Sequence, residues 1–219
     1  MIAVCANDER STTMNTNIDE VLLSSSVKVK KYCELEKAQD REGIANFILE
    51  RFTERYITPI ESTDKEQKHG FCTMAICCLM IEALESFWQG WEDTTRKSKK
   101  AFCKFFQRCS RNNLALGEFS NKAEDFYTGV RCGILHQAET TNGWRIRRKG
   151  PLYDPEQNII NATAFHRELQ KALEAYCEEL RQADWNAPIW NNLRRKMDKV
   201  IENCELPKAD NQTQSTQCV

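Results

Sequence analysis

Apolar residues recur at helical spacing over most of this chain. The first clear helix is predicted to begin at Asp40, a favourable N-cap, and to end ahead of Pro59. Its apolar positions follow the spacing of an amphipathic helix and are Ile44, Phe47, Ile48, Phe52 and Tyr56. Similar patterns predict later helices from about residues 70, 94, 121, 163 and 188.

The helix predicted over residues 70–89 differs from the others because it is apolar nearly all round. It ends at Gly90, a residue that commonly terminates helices. Glu82 and Glu85 interrupt its apolar run, which is therefore too polar and too short for a membrane span. We expect this helix to form the centre of a bundle.

The pattern changes after Glu139. Asn142 and Gly143 form a turn signal, and residues 144–149 then alternate as a strand does, with Ile159 and Ile160 as a return partner. The predicted fold class is therefore all-α, a bundle of about six helices with a short β-hairpin excursion. One domain is predicted over residues 17–206, with a flexible N-terminus at 1–16 and a flexible C-terminal tail at 207–219.

Composition restricts the function classes. A net charge of -1 argues against a protein that binds polyanions over its whole surface, so any nucleic-acid contact must be local. The eleven cysteines are odd in number and lack Cys-x-x-Cys spacing, and the chain shows no N-terminal signal. We therefore expect a cytoplasmic protein with reduced, mostly buried thiols, no metal site and no cofactor.

The candidate chemistry lies on the predicted fourth helix, called the motif helix here. It carries Arg131 and His136, five residues apart. Arginine can hold a phosphate through two hydrogen bonds, and histidine can transfer protons near neutral pH. Five residues turn an α-helix by about 500°, so the two side chains diverge by about 140°. For both side chains to meet one phosphate, either the arginine reaches around its helix or a second copy of the helix completes the site, and the second possibility indicates a homodimer.

Two glycines accompany the arginine. Gly129 and Gly133 each cost about 1 kcal/mol against alanine inside a helix. Such residues usually allow another backbone or a ligand to come close, so we expect a close approach at this face.

The segment Arg131-Cys-Gly-Ile-Leu-His136, preceded by Phe126-Tyr127, resembles the HEPN superfamily of helical-bundle proteins. The resemblance extends from about Asp40 to Leu180, and the arginine-to-histidine segment is its specific part. It implies a dimeric, metal-independent endoribonuclease in which His136 moves protons and Arg131 stabilises charge on the phosphate. HEPN ribonucleases often have Asn, Asp or His after the arginine, whereas this chain has Cys132.

Other residues have less definite roles. Glu82 is predicted either to pair with Arg131 or to face solvent beside Glu85. Strand alternation places Arg145, Arg147 and Lys149 on one face, either to contact RNA phosphates or to protect a strand edge.

The roles of three further side chains, one indole and two imidazoles, are also left undecided by the sequence. Trp144 either stacks on a base or covers the edge of the core. His69 and His166 show no partner pattern, and we expect them to be structural or exposed.

The leading hypothesis is a HEPN-type endoribonuclease of a toxin or defence system, with RNA as substrate and an antitoxin protein as a further partner. The alternative, favoured by the Cys132 departure, is an inactive HEPN-like module that binds RNA or a protein. A third hypothesis is a structural bundle in which Arg131 and His136 only stabilise the fold.

Overall fold

The computed structural model describes residues 17–63, 66 and 69–205. The flexible termini predicted at 1–16 and 207–219 lie outside the described residues. The predicted fold class is confirmed as a helical bundle with a small β excursion. The α-helices are α1 (Val29–Lys37), α2 (Arg41–Phe52), α3 (Thr58–Glu61), α4 (Gly70–Gln89), α5 (Ser98–Arg111), α6 (Ala123–Phe126), α7 (Gly133–Gln137), α8 (Ala162–Gln182) and α9 (Pro188–Glu202).

Helix α4 forms the centre of the bundle, as its apolar composition predicts, and packs against α5, α8 and α9. It ends where Gly90 adopts a φ of 62°, a left-handed conformation that glycine tolerates. The expectation that this helix is too polar and too short for a membrane span was wrong, because by length and composition alone it could cross one. However, 61% of its most apolar window is buried inside the bundle, which is consistent with a soluble protein.

Aromatic rings from several elements fill the core beside the motif helix. Phe126 of α6 stacks on Phe165 of α8 and meets Phe106 of α5 edge to face. Because these rings belong to three different helices, they fix the position of the motif helix against the bundle.

The motif helix is less regular than the sequence predicts. A 3₁₀ segment (Ala115–Lys122) leads into α6, a π-helical segment (Tyr127–Cys132) follows, and α7 completes the helix. We therefore define the motif helix as residues 123–137. The π-helical segment includes Arg131, and such wider turns occur frequently at functional sites.

The β excursion contains three strands rather than a hairpin: β1 (Arg145–Arg147), β2 (Tyr153–Asp154) and β3 (Ile159–Asn161). The predicted partners do pair, with Arg145 opposite Ile159 and Ile146 opposite Ile160, but β1 and β3 run parallel. Strand β2 pairs antiparallel with the other edge of β3. Alternation identifies a strand but not its direction, which depends here on the path between β1 and β3.

The cysteines that the structure describes are all free. Cys77, Cys78, Cys109 and Cys177 are buried, as predicted for thiols that act as small hydrophobes. Among the described cysteines, however, Cys33 and Cys72 are exposed and Cys103, Cys132 and Cys204 are only partly buried, so the prediction of mostly buried thiols was wrong.

Candidate functional site

An ion pair joins the motif helix to the central helix. Arg131 Nε donates to Glu82 Oε1 at 2.8 Å, and the two side chains are only 17% and 10% exposed. This contact confirms the predicted pairing, and the alternative of a solvent-facing Glu82 was wrong. The buried carboxylate thus has the charged partner that its desolvation requires. The bond to Glu82 Oε1 uses Arg131 Nε and not the two terminal guanidinium nitrogens, which are the atoms that bind a phosphate.

Tyr127 and Cys132 surround the same guanidinium. The Arg131 guanidinium carbon lies 5.6 Å from the centre of the Tyr127 ring, a cation–π contact one helical turn away. Burial raises the pKa of Tyr127, and a hydrogen bond with Cys132 contributes to this shift. Burial alone would lower the pKa of Arg131, but the Glu82 charge and hydrogen bond raise it overall. Arg131 therefore remains a permanent cation.

His136 lies in the last turn of α7 and is exposed, whereas Arg131 is turned toward α4. The two side chains therefore differ in direction as the helical geometry predicts. One helix presents the arginine to the bundle interior and the histidine to solvent. A single copy does not bring the pair together as neighbours on one face.

The two glycines of the motif helix allow the following loop to pack tightly against it. A Cβ at Gly129 would lie 2.4 Å from Trp144 Cδ1, and a Cβ at Gly133 would lie 2.5 Å from the Glu139 carbonyl oxygen. The predicted close approach is confirmed, and the approaching groups belong to this same chain. Trp144 is buried and donates from Nε1 to Asp125 Oδ2 at 3.1 Å, so it covers the core.

The predicted basic row does not extend along one strand. Arg145 is exposed and bonds the Gln157 carbonyl at 3.2 Å, whereas Arg147 is half-buried and lies 3.9 Å from the Asp154 carboxylate. Strand β1 ends at Arg147, so strand alternation does not extend to Lys149. Asp154 therefore balances the charge of Arg147. Of the three residues predicted to form the row, Arg145 is the one that lies on β1 and is exposed.

Lys149 lies instead at a separate cavity of about 590 Å³, together with His69 and His166. His166 is buried, contacts the Tyr56 carbonyl at 3.3 Å, and has its pKa lowered by burial. His69 precedes α4 and contacts the Thr63 hydroxyl at 3.1 Å. Both histidines make contacts within the fold, as expected of structural residues.

Glu82 also lines a cleft of about 440 Å³. Its lining includes Arg51, Arg55 and Lys196, none of which the sequence singled out. Arg51 lies at the end of α2 and Arg55 lies in the π-helical segment that follows it (Thr53–Ile57), and their spacing of four residues could have been noticed. Lys196 comes from α9, far away in the chain, and no sequence pattern links it to them.

Within residues 17–63, 66 and 69–205, no three His, Cys, Asp or Glu side chains form a group that could hold a metal ion. No protein-family model, curated protein or solved structure matches this chain. The HEPN resemblance therefore stays a prediction, and the functional argument depends on the geometry around Arg131.

Proposed function

We propose that this protein is a metal-independent endoribonuclease of HEPN type, acting in the cytoplasm as part of a toxin or defence system. The observation that carries the proposal is the Arg131–Glu82 ion pair on the helix that also presents His136. The carboxylate fixes the guanidinium through Nε, which favours a defined orientation toward a phosphate. An exposed imidazole five residues away supplies the proton transfer.

In the proposed reaction, the ribose 2′-hydroxyl attacks the adjacent phosphorus. His136 accepts the hydroxyl proton as the 2′-oxygen bonds to phosphorus, and the bond from phosphorus to the 5′-oxygen breaks. Arg131 stabilises the negative charge that develops on the phosphate oxygens. A proton returned to the leaving 5′-oxygen completes the step. The products are a 2′,3′-cyclic phosphate and a 5′-hydroxyl end.

Two copies of the motif helix form the complete site in this proposal. Arg131 faces α4 while His136 faces solvent, so a partner's motif helix would bring a second histidine and arginine to the same opening. Exposed apolar side chains support such an interface. Leu79, one turn before Glu82, is 47% exposed, and Leu135, beside His136, is 41% exposed.

The alternative is a HEPN-like module that binds RNA or a protein partner, such as an antitoxin, without cleavage. The observation that favours it is Cys132, which directly follows the arginine. A thiol stands there in place of the Asn, Asp or His that is frequent in HEPN ribonucleases. The alternative predicts RNA affinity with no product formation.

The experiment is a cleavage assay on purified protein with single-stranded RNA and EDTA present. We expect His136→Ala to lower the cleavage rate by about 100-fold or more, as loss of a general acid or base does. Gln137→Ala changes the neighbouring position in α7 and is the matched control. Mass spectrometry of the products should detect the cyclic phosphate. Equal cleavage by the wild type and His136→Ala would rule out the assigned role.

A further inference from the structure

Three cations line the cleft beside Glu82, and we call them the cation cluster: Arg51, Arg55 and Lys196. Arg51 Nη1 and Arg55 Nη2 both donate to the Leu23 carbonyl oxygen, the latter at 3.0 Å. Lys196 Nζ donates to the Glu92 carbonyl at 2.8 Å. A chain carbonyl therefore orients each cation without neutralising its charge.

Three carboxylates also line this cleft, Glu82, Glu92 and Asp93, but within the described part of the chain none of them forms a salt bridge with the cation cluster. Among the described residues, Arg51 forms no salt bridge, and Arg55 reaches only Glu54, at 4.0 Å. Burial and the neighbouring Arg55 lower the pKa of Arg51 to about 10. Burial likewise lowers the pKa of Lys196, with a further contribution from Arg51. Desolvation and repulsion between like charges therefore both destabilise the charged forms of these side chains, and a bound anion would offset both effects.

The cleft also adjoins the candidate active site directly. Glu82 lines the cleft and bonds Arg131, so one carboxylate separates the cation cluster from the catalytic guanidinium. Glu92 and Asp93 also line the cleft and partly balance Lys196. Arg51 and Arg55 are therefore the members of the cation cluster whose charges are least balanced by carboxylates. A volume of about 440 Å³ lies within the range of small-ligand pockets.

We propose that the cation cluster binds a backbone phosphate of the RNA substrate, flanking the phosphate that Arg131 holds. This inference rests on the proposed ribonuclease function and extends it by giving the RNA strand a second phosphate contact, on the cleft that Glu82, Arg51 and Arg55 line. Contacts to phosphate position the strand without reading its sequence. The cleft therefore contributes affinity rather than base preference.

The test measures RNA binding separately from cleavage. A 12-nucleotide single-stranded RNA labelled with fluorescein is titrated with the His136→Ala protein, with and without Arg55→Ala, at several salt concentrations. Arg55 is the exposed member of the cluster, so this substitution spares the core. Arg195→Ala removes an exposed cation of α9 that lies outside the cleft lining, and it is the matched control.

We expect Arg55→Ala to weaken binding about tenfold, as loss of one charged hydrogen-bonded contact does. The slope of log K against log salt should fall by about 0.7, the value for one phosphate of a single strand. Arg195→Ala should change neither quantity, and Arg55→Lys should recover part of the affinity because it keeps the charge.

An unchanged affinity and salt slope in Arg55→Ala would overturn the inference, whether or not the wild-type protein cuts RNA. Equal losses in Arg55→Ala and Arg195→Ala would also overturn it, because they would indicate general surface attraction. If the wild type fails to cut RNA while Arg55→Ala alone loses affinity, the phosphate site stands and the nuclease assignment falls.

Discussion

The central helix carries two buried glutamates one turn apart, and each bonds an arginine from a neighbouring helix. Glu82 pairs with Arg131 of the motif helix at 2.8 Å, and Glu85 pairs with Arg108 of α5 at 3.2 Å. The chemistry of the two pairs is the same, but their surroundings differ. Glu82 lines an open cleft, whereas the Glu85 side chain has no exposed surface at all.

The Glu85 pair is held inside a closed network. Gln89 donates to Glu85 Oε1 at 2.8 Å, and the Arg108 guanidinium lies 4.6 Å from the centre of the Trp88 ring. Trp88 in turn donates to Glu179 at 3.0 Å. These contacts join α4, α5 and α8 across the core. The network around Glu85 therefore joins three helices, and Arg108 lines a surface cavity of about 400 Å³ whose lining does not include Glu85.

The difference shows that a buried Arg–Glu pair by itself does not mark a site. What distinguishes the Glu82 pair is that the glutamate itself lines a cleft and that the helix carrying Arg131 also carries an exposed histidine. We therefore expect substitutions at the Glu85 pair to change stability, and substitutions at the Glu82 pair to change RNA chemistry.

The largest expected effect is on stability. Glu85→Ala leaves the Arg108 charge without its carboxylate, and we expect the free energy of unfolding to fall by about 3–5 kcal/mol. Glu82→Ala should cost less, about 1–2 kcal/mol, because the Glu82 side chain is 10% exposed whereas the Glu85 side chain has no exposed surface. Urea denaturation followed by circular dichroism measures both. A larger loss in Glu82→Ala than in Glu85→Ala would reverse the comparison.

The next effect concerns activity. Arg131→Lys keeps the charge but removes the planar fork, and a single ammonium cannot bond Glu82 and grip a phosphate in the same way. We expect RNA cleavage to fall about tenfold or more. Arg108→Lys is the matched control, and its cleavage rate per folded molecule should stay near that of the wild type. Similar losses in both variants would remove the functional distinction between the pairs.

The smallest effect is a dependence of stability on pH. Burial raises the pKa of Glu85 above its ordinary value of 4.5, although Arg108 and Gln89 oppose the shift. The folded state therefore holds this proton more tightly than the unfolded chain does. The resulting stability is fully present below pH 4.5 and is lost as pH rises through the folded pKa.

Glu85→Gln should remove this dependence. We expect the difference in unfolding free energy between wild type and Glu85→Gln to become less favourable to the wild type as the pH is raised from about 4.5. Urea titrations at a series of pH values measure it. A difference that is flat with pH would contradict the buried, proton-holding environment of Glu85.

Part of the site was predictable because it depends on local patterns. Arg131 and His136 share one helix, so their divergence follows from helical geometry, and the opposite environments of the two side chains agree with it. The pairing of Glu82 with Arg131 was predictable as one of two alternatives, since a carboxylate in an apolar helix needs a partner. The partner of Glu85 was not foreseen, because the same pattern suggested a shared solvent face.

Other features depend on contacts between distant parts of the chain. The direction of β3 relative to β1 and the short extent of β1 left Lys149 outside the strand and beside His69 and His166. The cation cluster combines residues more than a hundred positions apart, which come together because α9 and the segment after α2 both pack against α4.

The sequence by itself determined the helical class, the central position of α4 and the presence of an arginine and a histidine on the motif helix. It could do so because helical periodicity and helix-end signals are local properties of the chain. Only the tertiary structure decided which glutamate adjoins an open cleft and which is enclosed, and which cations gather beside Arg131. These outcomes depend on how the helices pack, which no local pattern contains.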